Sequence, residues 1–420
     1  MKIFVLNCGS SSLKYRMISM PGGEELFGGE VERIGSKTSQ SSRIVHREKG
    51  VELVRTVSVS SYAEAFAQIT ETIEKNSDFR PDAIAHRLVQ GGMEFPSSKV
   101  ITESELPLLD KIKDLAPIHN PPVIELIGEC RRLHPEVPQV VVLDSAFHST
   151  IPEYAATYPL PKALRLELGL RKFGFHGISH QFVAEEAAEF LHIPINEFNA
   201  VSCHLGTGGA SLCAIVRGKS VDNSMGFSPM QGLVMSTRCG DLDASAILKM
   251  IAYSNGDFEE VNRALNKESG LLGLSGTSSD VRDIISRARA TGDERAEIAV
   301  DVYTWRIKKY LGAYLTVVGK ADAVIFTDTI GETVPYVREA VCTGMEYFGL
   351  KIDEWKNNKV SAFPFDIAAE SSKVRIVVVR TNEELAIART AYQLLIKFEN
   401  KTLNTRKREG SYEEANSPNS

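Results

Sequence analysis

The 420-residue sequence is poor in cysteine, carries no surplus of basic residues and has no long apolar run. Its six cysteines, Cys8, Cys130, Cys203, Cys213, Cys239 and Cys342, form no C-x-x-C pair. That spacing argues against a zinc site or a thioredoxin-type motif. Several of the six sit in apolar runs, where a thiol serves as a small core residue, and disulfides are the weaker reading. A reducing, cytoplasmic compartment is therefore expected. Lys and Arg total 48 against 54 Asp and Glu, a net charge of −6, and the basic residues are scattered. No nucleic-acid partner is expected from such a balance, although a nucleotide needs only a locally positive cleft. No stretch reaches the ~18 uninterrupted apolar residues of a spanning helix, so no membrane partner is expected. The opening run Ile3 to Leu6 is too short for a signal peptide. No Walker A sequence occurs.

The length exceeds one compact core and suggests two domains. Ile3 to Leu6 reads as a buried strand. The turn Asn7-Cys8-Gly9-Ser10-Ser11-Ser12 follows it, and Leu13, Tyr15 and Met17 then alternate with Lys14 and Arg16 as in a second strand. Residues 60–76 place Tyr62, Phe66, Ile69 and Ile73 on one helical face. Short strands at Ala83-Ile84-Ala85 and at Val140 to Leu143 lead into Arg87 and Asp144. Strands alternating with helices indicate an α/β architecture. A second strand–turn–strand unit spans 200–216, centred on His204-Leu205-Gly206-Thr207-Gly208-Gly209. Two such units hint at duplication, but units of this kind are common enough that the pattern alone leaves the matter open. The polar segment 401–420 reads as a disordered tail.

Gly- and Ser-rich turns let backbone N–H groups approach phosphate oxygens, and Lys14 adds a point charge beside the first of them. The turn Asp328-Thr329-Ile330-Gly331-Glu332-Thr333, after the strand Ala323 to Phe326, stands where ligands often sit in α/β folds. Alone, each segment also reads as an ordinary turn. Arg87, Asp144, His176 and Arg238 each border small or apolar runs. Phosphoryl transfer uses cations around the equatorial oxygens and carboxylates or amides around a metal. Taken singly, Arg87 fits a structural ion pair and His176 a hydrogen-bonded core histidine equally well.

Together these segments resemble the acetate kinase (acetokinase) family, of the sugar kinase, Hsp70 and actin superfamily. The resemblance runs from Lys2 to about residue 395. It rests on Asn7 to Tyr15, Leu115-Ala116-Pro117-Ile118-His119-Asn120-Pro121, Leu143 to His148, Phe173-Gly174-Phe175-His176-Gly177-Ile178-Ser179-His180 and the span Cys203 to Asp243. Ser269-Gly270-Leu271-Leu272-Gly273 and Thr381-Asn382-Glu383-Glu384-Leu385 complete it. The resemblance implies two duplicated actin-like (ribonuclease H-like) α/β domains with mixed sheets and a nucleotide cleft between them. We expect the first domain over 1–150 plus about 385–400, and the second over 151–384. It also implies a homodimer.

Carried over by motif, Asp144, His176 and Arg238 are the catalytic residues. Arg87 binds the carboxylate, and Val89, Ile118, Phe175 and Pro229 form the acyl pocket. Nucleotide-binding residues are Lys14, His204, Leu205, Gly206, Thr207, Gly208, Asp280, Val281, Arg282, Thr329, Ile330, Gly331, Glu332 and Thr333. Asn7 and Glu383 lie in the shell of Mg²⁺, with Mn²⁺ as the alternative ion. The implied reaction moves a phosphoryl group reversibly between ATP and acetate, giving ADP and acetyl phosphate. A short carboxylic acid is ionised at pH 7, with a pKa near that of a side-chain carboxyl (~4), so no general base is needed and cations must offset the repulsion of two anions. Asp144 is accordingly expected to position the metal or an arginine. Alternatives within the class are a propionate or butyrate kinase, or pyrophosphate as donor. A different class is a non-catalytic nucleotide or metabolite sensor.

Five positions depart from the family pattern. Asp328-Thr329-Ile330-Gly331-Glu332-Thr333 stands for Gly-Gly-Ile-Gly-Glu-Asn, Thr207 for Asn in Gly-Asn-Gly-Gly, and Gln90 for a His. We expect Asp328 to point away from the nucleotide with ATP still in use; the other reading is weakened ATP use, a different donor or lost activity.

Overall fold

The computed structural model describes residues 1–9, 11–35, 41–76, 80–116 and 119–415, with side chains described to 401. Two compact units emerge, one from Met1–Ala146 together with the chain from Glu383 onward, the other from Phe147–Asn382. The first holds strands β1 Lys2–Cys8, β2 Ser12–Ser19, β3 Glu24–Glu32, β4 Ser42–Glu48, β5 Val51–Val57, β6 Ala83–Leu88, β7 Lys99–Ile101 and β8 Gln139–Leu143. The second holds β9 Ala200–Leu205, β10 Ala210–Val216, β11 Lys219–Asn223, β12 Ala323–Thr327, β13 Phe365–Asp366 and β14 Arg375–Val378.

Both sheets share one topology. In the first, β3-β2-β1-β6-β8 run side by side, with antiparallel pairing through β3, β2 and β1 and parallel pairing from β1 to β6 to β8. In the second, β11-β10-β9-β12-β14 repeat the order and the senses. The duplication hinted at by the two hairpins is thus present in the topology, and both units are α/β folds with mixed sheets. Even the turns agree. Gly9 N–H donates to Ser12 O at 2.8 Å and Gly206 N–H to Gly209 O at 3.0 Å.

The apolar run Ile3–Leu6 becomes a central strand because both its faces are covered. Phe4, Leu6 and Cys8 join a core with Tyr62, Phe66 and Ile69 of the helix Tyr62–Asn76 and with Val123, Leu126 and Ile127 of the helix Asn120–Leu133. The helix Glu383–Ala415 packs on β1, β6 and β8, burying Ile387, Ala388 and Ala391. All six cysteines are free thiols, five of them buried.

Two expectations change. Residues 328–333, read as a turn, form the short helix Asp328–Thr333. Its Ile330 inserts into the core, and its Gly331 and Glu332 carbonyls accept from the buried Arg338 guanidinium at 2.8 and 3.0 Å. The segment from 401, read as disordered, continues the C-terminal helix as far as Ala415. Polarity was the wrong guide there, because Leu, Lys, Arg and Glu are good helix formers. Residues 416–420 lie outside the described residues.

Arg338 also donates to Asn357 Oδ1 at 2.7 Å and Asn357 O at 2.8 Å. Replacing it with Ala should strand these buried acceptors and cost about 3 kcal/mol. A urea midpoint unchanged from wild type would refute this bracing role.

Candidate active site

Strand pleating assembles the first cluster. Phe4, Leu6 and Cys8 point into the helical core, so Asn7 must point to the opposite face. The same alternation sends Ile84 and Leu88 of β6, and Val141 and Leu143 of β8, into that core, leaving Arg87 and Asp144 beside Asn7. All three thus stand on one face, at the carboxyl ends of three neighbouring parallel strands, the usual ligand position in α/β sheets.

Arg87 Nη2 donates to Asp144 Oδ2 at 3.0 Å and Nη1 to Asn7 Oδ1 at 3.3 Å. Asn7 Nδ2 in turn faces Glu383 Oε2 at 3.2 Å and Glu384 Oε1 at 3.1 Å. Burial works against the charge on Arg87, but the carboxylates of Asp144, Glu383 and Glu384 outweigh it and hold the proton more firmly than usual. Lys14 pairs with Asn7 across β1 and β2 and is exposed. Burial pushes the Cys8 thiol up to about 12, although Arg87 opposes the rise, so this loop cysteine is no nucleophile at neutral pH. Val89, just after β6, is buried, and Ile118 lies outside the described residues.

The second unit carries a histidine cluster. His176 takes a left-handed conformation, φ 56°, at the start of the helix Gly177–Phe190. Its Nδ1 meets Ser211 Oγ at 2.8 Å, and its ring stacks on His204, with centroids 4.2 Å apart. His180 bridges Ser202 Oγ at 2.9 Å and Ser211 Oγ at 2.8 Å. Burial and the neighbouring histidines His148, His204 and His176 keep His180 well below its ordinary pKa, and hence neutral. His180, Ser179, Ser202 and Ser211 were not anticipated from the sequence. A His inside an apolar helix has no periodic signature, and only its i, i+4 spacing from His176 hinted at a shared face.

Arg238 Nη1 donates to Pro229 O at 2.6 Å and Nη2 to Gly208 O at 3.2 Å. Burial lowers its pKa to about 10, which leaves it charged at pH 7. Among the described residues no carboxylate pairs with it, so a half-buried positive charge faces the glycine loop. A Cβ at Gly209 would lie 2.6 Å from Arg238 Nη2 and 3.3 Å from His176 Nε2. Glycine is therefore needed where the loop passes both side chains. Gly270, at φ 62°, backs onto Arg238: a Cβ there would be strained and would meet Arg238 O at 2.8 Å. Phe175 is buried and its carbonyl lies 2.9 Å from His148 Nε2.

The loop at 328–333 differs from expectation. Asp328 does not turn away from the glycine loop: its Oδ2 lies 3.0 Å from His204 Nε2. His204 Nδ1 meets Ser179 Oγ at 2.8 Å, Ser179 Oγ accepts from Thr381 Oγ1 at 3.1 Å, and Thr381 N–H donates to Glu332 Oε1 at 3.1 Å. Asp328 N–H donates to the same Glu332 oxygen at 3.1 Å, closing a ring of hydrogen bonds. Thr333 Oγ1 donates to Thr329 O. Asp280 caps the helix Val281–Thr291 by accepting from Arg282 N–H at 2.9 Å and also binds the Arg282 side chain, which occupies the pair with each other.

A duplicated mixed-sheet α/β fold with polar residues gathered at its strand ends is a frame that binds ligands at those ends. The chain belongs to the Acetokinase family, whose model matches residues 2–389. It is 42% identical over 402 residues to a protein named acetate kinase from Thermoanaerobacterium thermosaccharolyticum, covering 94% of this chain and 99% of the relative. The solved acetate kinase of Porphyromonas gingivalis superposes with a TM-score of 0.87 at 36% identity, covering 94% of this chain and 99% of that one. A propionate kinase from Francisella tularensis gives 0.84 at 37% identity, covering 92% and 98%.

Burial opposes ionisation of Asp328, but His204 and the Thr329 donors outweigh it and hold the carboxyl well below its usual range. A carboxyl that titrates lower when folded stabilises the fold fully above the ordinary carboxyl range, and this contribution is lost as pH falls through the folded value. Asp328→Asn should lower the melting temperature at pH 7 by about 2–4 °C, the scale of ~1 kcal/mol in a unit of this size. The gap should narrow below about pH 4. A gap independent of pH would refute the ion pair's contribution.

Proposed function

We propose that this protein is an acetate kinase, transferring a phosphoryl group reversibly between ATP and acetate to give ADP and acetyl phosphate. The observation that carries this is the family match across residues 2–389, with relatives named acetate kinase at 42% identity. Arg87 receives the acetate carboxylate or its phosphoryl product, held in place by Asp144. With Asp144 3.0 Å from a guanidinium, positioning that arginine is a better role for it than proton abstraction. Acetate has no proton to lose, so the barrier lies in bringing two anions together. His176 and Arg238 meet the transferring phosphoryl. Support comes from the half-buried Arg238 charge, which among the described residues is met by carbonyls and so is available to an anion. Lys14, the loop His204–Gly208, the segment Asp280–Arg282 and the helix Asp328–Thr333 receive the nucleotide. Val89, Phe175 and Pro229 are assigned to the acyl chain by their motifs.

Mg²⁺, or Mn²⁺ in its stead, is assigned to Asn7 and Glu383, where the Glu383 and Glu384 carboxylates converge on the Asn7 amide N–H groups. No cluster of three or more His, Cys, Asp or Glu ligands occurs among the described residues. Magnesium requires none, because it is commonly held by one or two protein oxygens together with waters and substrate phosphates. When bound it supplies charge neutralisation on phosphate oxygens. The free thiols support a reducing, cytoplasmic setting; no helix among the described residues is long and apolar enough to cross a membrane.

We also infer a homodimer. The helix Ala244–Tyr253 is apolar yet has no buried residue, with Leu248 67% and Tyr253 88% exposed. Sedimentation velocity should return about two chains per particle, and a monomer at micromolar concentration would sink this assignment.

Hydroxylamine trapping of acyl phosphate, with two-, three- and four-carbon acids and with ATP, GTP or pyrophosphate, tests the reaction. ATP with acetate should give the fastest trapping, and no trapping with any pair would overturn the reading. Arg238→Ala should lower kcat by about 100-fold or more, in the range lost with an anion-stabilising donor. Its ATP dissociation constant should change far less. Equal losses in turnover and binding would contradict the assigned role.

A further inference from the structure

Asp328 stands where the family pattern has glycine, and it keeps a glycine-like backbone, φ 61°. Its side chain turns into the glycine loop of the same unit. Oδ2 lies 3.0 Å from His204 Nε2, while Oδ1 accepts from Thr329 N–H at 2.5 Å and Thr329 Oγ1 at 3.1 Å. The carboxylate also fills the space over Gly206, where any added Cβ would collide with Oδ2. His204 is buried, and its other ring nitrogen is bonded to Ser179. Both nitrogens are therefore engaged within the protein, and the imidazole is left with no N–H to offer a phosphate oxygen. Arg238, which donates to Gly208 O of the same loop, has no such carboxylate among the described residues.

We infer that Asp328 is a donor-specificity residue, a built-in anion that takes the imidazole N–H of His204 and the space over Gly206 that an oxygen of the nucleotide's phosphate chain would otherwise occupy. This rests on the reading above that the loop His204–Gly208 receives the donor phosphates. Two effects follow from the one carboxylate: it fills the space, and its negative charge repels a phosphate. The native protein should accordingly bind ATP weakly for its fold, and removing the carboxylate should tighten binding.

Three proteins decide the matter: wild type, Asp328→Gly and Asp328→Asn. Glycine suits the left-handed backbone best, and asparagine tolerates it nearly as well as aspartate while keeping the volume and removing the charge. Thermal unfolding establishes that each variant folds. ATP with magnesium is then titrated by calorimetry in the absence of acetate, so the readout does not depend on turnover. Both variants should bind ATP at least ten-fold more tightly than wild type, equivalent to about 1.4 kcal/mol, with the glycine variant the tighter. Affinity unchanged within two-fold in both variants overturns the inference, as does weaker binding in both. Tightening in Asp328→Gly alone also overturns it, since bulk and not the anion would then be the obstacle. Hydroxylamine trapping on the same three proteins separates the two readings: absence of acyl phosphate in all of them would remove the kinase reaction, while the calorimetry still decides whether Asp328 opposes ATP.

Discussion

A strand buried on both faces sends alternate side chains to opposite sides, and that constraint fixes where the polar chemistry of this protein stands. In β1 it commits Phe4, Leu6 and Cys8 to the helical core, so Asn7 is forced to the face where Glu383 and Glu384 begin the C-terminal helix. In β9, Ser202 and His204 are sent together toward Ser179 and His180 of the helix Gly177–Phe190. Asn7 and His204 occupy equivalent places, each two residues before a glycine that opens a hydrogen-bonded turn. Slipping either strand by one residue would bury the wrong set on each face. The apolar alternation that builds the core therefore also aims the site.

The half-buried arginines Arg87 and Arg238 differ in what surrounds them. Arg87 is surrounded by the charges of Asp144, Glu383 and Glu384, which stabilise it but cancel much of its outward field. Arg238 is held by the Pro229 and Gly208 carbonyls, which satisfy its N–H groups without cancelling its charge. A low-dielectric setting amplifies that remaining charge for any anion that approaches. The first arrangement suits orientation of a carboxylate; the second suits charge that grows during transfer. The cost of keeping Arg238 half-buried and uncompensated is visible in its lowered pKa of about 10.

The strands were legible because their apolar runs are long enough to force burial, and the repeated hairpin was visible for the same reason. The side chains at their ends were legible only as residues interrupting such runs, which is why Arg87 and Asp144 could equally have been a structural pair until the family pattern was considered. The serine and histidine network was not legible. Ser179, His180, Ser202 and Ser211 are scattered over a helix and two strands, and nothing in their spacing encodes that Ser211 Oγ lies 2.8 Å from both His176 and His180. The helix at 328–333 was hidden as well. It is short, and its stability comes from the buried Arg338, several residues downstream, rather than from its own propensities.

Asp328 shows why a changed motif residue cannot be read from its charge alone. A non-glycine residue in the left-handed region costs roughly 1–2 kcal/mol, less for aspartate than for most. The backbone nevertheless keeps the glycine geometry, because Glu332 holds the Asp328 N–H and Ile330 anchors the helix in the core. With the main chain fixed, the side chain goes where the loop leaves room, over Gly206, and there its Oδ2 meets His204 Nε2. What it alters is the electrostatic character of the surface the loop presents, by adding a carboxylate and committing a histidine ring nitrogen to a contact within the protein.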